Sequence, residues 1–465
     1  MSTPYNVRYV WALATVAALG GLLFGYDFVV IGGAKPFYEK FFRLESEQLI
    51  GWANSCALLG CLVGSVLSGA MADRLGRKKL LIASAMLFAL SSVLTGWAPT
   101  FPQFVLWRIA GGVAIGIASN VSPIYIAEIS PAQWRGRLVA MNQLTIVVGI
   151  LAAQIVNWTI AEAVPAGATA EMIRISWNGQ YGWRWMFTAV AIPSLVFLAG
   201  ALAVPESPRW LATQGRKDRA RRTLARIGGD DYADRELREV LATAGTGGRE
   251  RRWTDILAPG LRKVLAVGVV LAVLQQWSGI NVIFNYAEEI YRNAGYGVSD
   301  ILFNIVITGT INLVFTLVAF AFVDRLGRRV LMLAGCAAIG VCHTLLGLSY
   351  YFGLKGIPVL VCTLGTIGCY AMSLAPVTWV LISEIFPNRI RGTAVSVSVS
   401  ALWIACFALT FTFPVLNRAL GPSGTFWLYA GICFAGFLFV MLRVSETKGK
   451  TLEQIEKEDI GAVAG

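Results

Sequence analysis

The sequence predicts an all-α membrane protein, with twelve transmembrane helices in two six-helix bundles and a cytosolic helical linker between them. Three observations carry that expectation. Of 465 residues, 56% are hydrophobic and only 14% are charged, against about 25% charged in a soluble domain. Apolar runs long enough to cross a bilayer core, about 20 residues, recur along the chain. Short charged motifs appear once in each half.

The runs fall near 9–33, 50–72, 80–98, 103–126, 137–160 and 182–204, then near 263–291, 300–323, 330–352, 357–384, 392–416 and 424–442. The expected organisation is an N-terminal bundle at 1–205, linker helices at 206–262, a C-terminal bundle at 263–443 and a cytosolic tail at 444–465. The first apolar run is too long for a signal peptide. In the linker, charged residues alternate with Leu224, Ile227, Leu237, Val240 and Leu241. That pattern predicts short amphipathic helices, broken at Gly228-Gly229 and again at 246–248.

Charge sets the orientation. With both termini cytoplasmic, the inner segments hold 30 Lys and Arg and the outer segments 8. The positive-inside rule favours that orientation. The net charge of +12 then belongs to the inner face, and nucleic acid is not an expected partner. The lipid bilayer is.

The halves repeat. DRLGRK at 73–78 returns as DRLGRR at 324–329, and AEISPAQWRG at 127–136 as SEIFPNRIRG at 383–392. Each pair occupies the same slot in its half, the expected mark of a parallel duplication.

Several chemistries lack material. The eight cysteines lie in apolar runs without a CxxC pair, so they read as packing residues. His343 has no second histidine for a metal site or a triad. Gly-Lys-Thr at 449–451 lacks the upstream glycine of a phosphate loop. The GGVAIG run at 111–116 reads as close helix packing. No catalytic group, metal or cofactor is expected, and the chain does not read as an enzyme.

Two ionisable residues lie well inside the apolar runs: Asp27 in the first and Arg108 in the fourth. Each costs at least ~2.5–3.5 kcal/mol at the centre of an isolated membrane helix, so each needs a partner or a wet cavity. Desolvation favours a protonated carboxyl, and a nearby guanidinium favours the carboxylate. Moving one toward and away from the other would switch proton affinity. A fixed ion pair that only locks helices is the plainer alternative.

The motifs also carry a family resemblance. They are GYD (25–27), DRLGRKK (73–79), Arg108 with Gly112 and Gly116, PIYIAE with Arg135-Gly136, PESPRWL (205–211), QQWSGIN (275–281), DRLGRR (324–329), SEIFP with Arg391-Gly392, and SETKGKTLEQIE (445–456). In this order the chain resembles the sugar porter branch of the major facilitator superfamily over nearly its full length. The set is most similar to bacterial proton-coupled xylose-type symporters.

The resemblance implies a secondary active transporter that imports a monosaccharide, pentose or hexose, with a proton. It would work by alternating access, powered by the proton gradient, and function as a monomer in the cell membrane of a bacterium. Asp27 and Arg108 would couple the proton. Phe24, Gln143, Gln275, Gln276, Asn281, Tyr286, Asn312, Trp379 and Trp403 match sugar-contacting positions, where amides and aromatic rings suit hydroxyls and CH faces. Asp73, Arg74, Arg77, Glu128, Arg135, Asp324, Arg325, Arg328, Glu384 and Arg391 match an ion-pair network that gates the inner side.

The chain departs from the pattern in places. Ile150 stands where xylose-type symporters carry a second amide, and Asn285 replaces the first of a tyrosine pair. Leu402 replaces an amide, and Ala375 a glycine. Ile150 favours the near alternative, a facilitative uniporter without proton coupling, whereas Asp27 opposes it. A transporter-like sugar sensor is a remote alternative. On an ideal helix Gln275 and Asn281 point about 120° apart. They converge only if the helix loosens, and Ser278-Gly279 is the expected place. Pro376 is expected to break the tenth span just before Trp379.

Overall fold

The structure is a computed structural model that describes residues 5–165, 167–245, 259–386 and 391–446. The second linker break, the side chains of Asp324 and Arg391 and the tail beyond 446 lie outside what it describes. Every element among the described residues is helical. Eleven helical segments are long and apolar enough to cross a membrane. The last, Thr393–Arg443, runs 51 residues. Within it Gly421 takes a left-handed conformation, φ 67°, and Pro422 follows. A left-handed residue and a missing N–H interrupt the helical ladder. This segment therefore holds two crossings, and the spans number twelve.

The first span runs from Val7 to Phe42, well past the expected end at 33. Lys35, Pro36, Glu39 and Lys40 end the apolar run in the sequence, yet the helix continues through them. Lys35 is fully buried, so it does not sit exposed on the outer side. Its charge is met inside the fold by carboxylates, described below.

The described residues pack as two compact units. One gathers Met1–Phe28, Gly60–Ile150 and Phe187–Glu250; the other gathers Val29–Leu59, Leu151–Met186 and Arg251–Gly465. These units cut across the two sequence halves.

In the first unit, helices approach until only glycine fits. A Cβ on Gly25 would overlap the Ile146 carbonyl, and one on Gly149 the Leu22 carbonyl. The first and fifth spans therefore touch through backbone beside Asp27. Gly116, in the glycine-rich run of the fourth span, lies as close to the Cys61 carbonyl. That run is a packing surface.

The linker forms Pro208–Thr213 and Lys217–Gly245. The second helix breaks at Gly228-Gly229, with Gly229 at φ 81°. Trp210, Leu211, Ala212 and Ala220 form a small core that Leu237, Val240 and Leu241 cover. Arg221 binds Asp234 at 2.6 Å and Asp230 at 3.2 Å across the break. Its guanidinium holds the Asp234 carboxyl below the usual range. Tyr5 packs edge-on against Tyr232 and Trp134, and the Asn6 N–H donates to Ile227. The linker thus docks on the N-terminus, which packs in turn on the start of the fifth span.

Candidate functional site

In the first unit, Arg108 Nη1 donates to both carboxylate oxygens of Asp27, at 3.0 and 3.1 Å. Asp27 is 4% exposed and Arg108 3%. Arg108 also reaches the Asp27 backbone carbonyl, and its guanidinium lies 5.4 Å from the Phe187 ring centroid. The residue facing Asp27 on the fourth span is Gly111, where a Cβ would stand 3.5 Å from the carboxylate. The pair is buried and charge-balanced. Phe24 and Gln143 are half-buried in the same unit, and Ile150 is buried.

In the second unit the seventh span is three pieces: Pro259–Trp277, Ile280–Asn285 and Ala287–Asn293. The first break is at Ser278-Gly279, where Gly279 is left-handed at φ 87°. It brings the Asn281 amide onto Gln276 Oε1. Asn281 also contacts Cys406 Sγ at 3.3 Å. Gln275 donates to the Leu374 and Ala375 carbonyls at 3.2 and 3.3 Å. Three amides thus gather at one break, against the tenth and eleventh spans.

The tenth span breaks earlier than expected. It comprises Ile357–Met372 and Leu374–Glu384, with the disruption at Ser373 (φ −127°, ψ −86°). Proline clashes with the carbonyl four residues back, which for Pro376 is Met372. The break therefore lies upstream of the proline, and Pro376 sits in the first turn of the next helix. Trp379 follows and is 39% exposed, while Asn312 and Trp403 are buried. The Tyr286 hydroxyl donates to the Thr410 carbonyl at 2.6 Å, and Asn285 is buried beside it.

In the sequence His343 stands out only for lacking a second histidine. Breaking the helix frees the Ser278 carbonyl, because the Val282 N–H bonds Gly279 instead. His343 Nε2 lies 2.8 Å from that carbonyl. The ring is fully buried and stacks on Phe426. A bond to a carbonyl requires the Nε2–H tautomer, so His343 caps the break that carries the amides.

At the inner ends, Arg77 pairs with Glu128 at 3.0 Å and Asp73 at 3.1 Å. Glu128 is thus held by Arg77, and Arg135 Nε donates to the Ala127 carbonyl. In the second unit Arg328 reaches Glu384 at 3.6 Å. Arg74 and Arg325 lie on exposed helix ends. Two residues without an assigned role complete both copies of the motif. Glu206 accepts from the Arg77 and Lys78 N–H groups at 2.9 and 3.1 Å, and Glu446 from those of Arg328 and Arg329 at 2.9 and 3.1 Å. The signal was available: Val-x-Glu follows the sixth and the twelfth spans, at 204–206 and 444–446.

Residues 13–458 match the model of the family described as "Sugar (and other) transporter". The chain belongs to that family. This sugar-transporter family member is a multi-pass membrane transporter rather than an enzyme, with the major facilitator fold. It is 37% identical to the D-xylose-proton symporter of Escherichia coli, covering 98% of this chain and 97% of that one. It is 41% identical to the glucose transport protein of Synechocystis sp., covering 97% of each. The partially occluded inward-open structure of the xylose transporter XylE from E. coli superposes with a TM-score of 0.84 at 35% identity, over 96% of this chain and all of that one.

Proposed function

We propose that this transporter carries a monosaccharide and a proton together into the cell by alternating access, with the proton gradient as its energy source. The observation that carries this reading is the Asp27–Arg108 pair, buried and bonded at 3.0 Å between the first and fourth spans. A helix lock could be built from apolar contacts at no desolvation cost. A lone carboxylate beside a single arginine has a further property. Parting the two would leave Asp27 buried without a counterion, and a proton is the smallest group that neutralises it. The names of two relatives support the coupling, a D-xylose-proton symporter and an arabinose-proton symporter, and a third, a glucose transport protein, supports the sugar alone.

In this reading Gln275, Gln276 and Asn281, with Phe24, Gln143, Asn285, Tyr286, Asn312, Trp379 and Trp403, bind the sugar. Gathered amides both donate and accept, as a neutral polyol requires. The ion pairs at the inner ends gate the inner side. The protein works as a monomer in the bacterial inner membrane, with both termini in the cytoplasm.

One observation favours uniport. Ile150 is aliphatic and buried where the coupled relatives are expected to carry an amide. Uptake of labelled D-xylose and D-glucose into vesicles, with and without a pH gradient, decides between them. Symport requires accumulation above the outside concentration only when the outside is acidic. Equal uptake under both conditions supports the uniporter.

A further inference from the structure

Lys35 is the most deeply buried charge outside the candidate site, and the sugar-proton reading does not use it. It lies on the outer part of the first span and is 0% exposed. Three carboxylates surround its ammonium: Glu289 at 2.8 Å, Glu288 at 3.3 Å and Glu39 at 3.3 Å. Glu39 is one turn along the same helix. Glu288 and Glu289 open the third piece of the seventh span, just after the break at Tyr286. Glu288 also holds Arg292 at 2.7 Å. The Tyr286 ring centroid lies 5.3 Å from the ammonium.

The helices that carry these groups meet closely. A Cβ on Gly32 would press on the Phe284 carbonyl, and one on Gly51 of the second span on the Phe411 carbonyl. Within this unit, the outer parts of the first and second spans are therefore seated on the seventh and eleventh.

Apolar packing alone would hold such a seam shut. Charges do something different. Buried and paired, they satisfy one another; parted and wetted, water satisfies them; half-parted in a dry seam, they are strongly unfavourable. A cluster of this kind gives two good states with a poor one between, the property of a latch.

We propose that Lys35, Glu39, Glu288 and Glu289 form an outer charge latch, whose parting is required for the outer side to open. The proposal rests on the alternating-access reading above. Lys35 acts as a gating residue and does not touch sugar. Its removal leaves three carboxylates facing one another without their shared counterion, so repulsion drives the seam apart.

The test is amide hydrogen exchange on the purified full chain in detergent, without sugar or pH gradient. Lys35→Met is expected to speed exchange several-fold in 29–42 and 280–293, with the linker helices and the third span unchanged. The double variant Lys35→Glu with Glu289→Lys keeps one cation among three carboxylates and is expected to restore native exchange. Unchanged exchange in Lys35→Met overturns the latch. Should Lys35→Met accelerate exchange throughout the chain, the double variant decides: native-like exchange supports the latch, and anything else overturns it. No uptake is measured, so the latch stands or falls separately from symport.

Discussion

At the scale of single residues, the decisive property is how each buried polar group is satisfied. Asp27 has one counterion, Arg108, at 3.0 Å. Asp27→Asn keeps the shape and one acceptor oxygen for Arg108 and removes the ionisable group. Under symport, the expected outcome is a split: counterflow of the transported sugar persists, and accumulation against a gradient disappears. Accumulation by the variant would show that the pair is a helix lock. His343 poses the complementary case. Its Nε2 serves a carbonyl that the Gly279 break leaves over. An unsatisfied buried polar group costs ~1–3 kcal/mol, and ~1.4 kcal/mol is a factor of ten in affinity. His343→Phe keeps the ring stack and loses the donor, so the sugar KM should rise about tenfold. His343→Gln restores a donor at nearly the same place and should recover most of the KM. A fall in the amount of folded protein at unchanged KM would reduce His343 to a packing residue. The histidine was visible in the sequence, but its partner was not. That partner is a backbone carbonyl 65 residues earlier, which exists only because a helix breaks.

At the scale of elements, the same chemistry closes both copies of the DRLGR motif. Gly76 at φ 89° and Gly327 at φ 93° turn the chain between two spans. Each turn leaves the first N–H groups of the next helix without partners. Glu206 and Glu446 arrive from distant segments and accept them. A charged acceptor at a helix N-terminus also meets the favourable end of its dipole. Hydrogen bonds to charged groups contribute about 1.5–3 kcal/mol. Glu206→Ala should therefore lower the apparent melting temperature, followed by tryptophan fluorescence, by several degrees. Glu206→Gln, which still accepts, should lose less; an equal loss for both would assign the effect to packing. The break at Ser278-Gly279 could be anticipated because glycine permits the left-handed turn it needs. The tenth-span break lies upstream of its expected place for a different reason: proline acts on the carbonyl four residues before it, so the damage precedes the residue that causes it. The extension of the first span through Lys35 had only a weak local sign, Glu39 one turn on. The other two carboxylates that make it tolerable, Glu288 and Glu289, lie some 250 residues away.

At the scale of the whole molecule, hydropathy was enough to count the spans, because each must be apolar over the same bilayer thickness. Hydropathy could not anticipate the two packing units. Those depend on which backbone stretches come close, as at Gly32 and Gly51, and close approach leaves no period in the sequence. Orientation is the property that charge decides. The lysines and arginines divide 30 to 8 between the expected inner and outer segments, and the membrane potential and anionic lipid both favour cations on the cytoplasmic side. Two exposed positions test the consequence. Ala163 lies in the segment between the fifth and sixth spans, and Lys217 begins the second linker helix. The native cysteines are buried or half-buried, which makes the parent chain a usable blank. A membrane-impermeant maleimide applied to intact cells should label Ala163→Cys and leave Lys217→Cys untouched, and permeabilised cells should label both. The reverse pattern would mean that the basic linker faces outward. The charge bias would then have been overridden by some stronger topological signal.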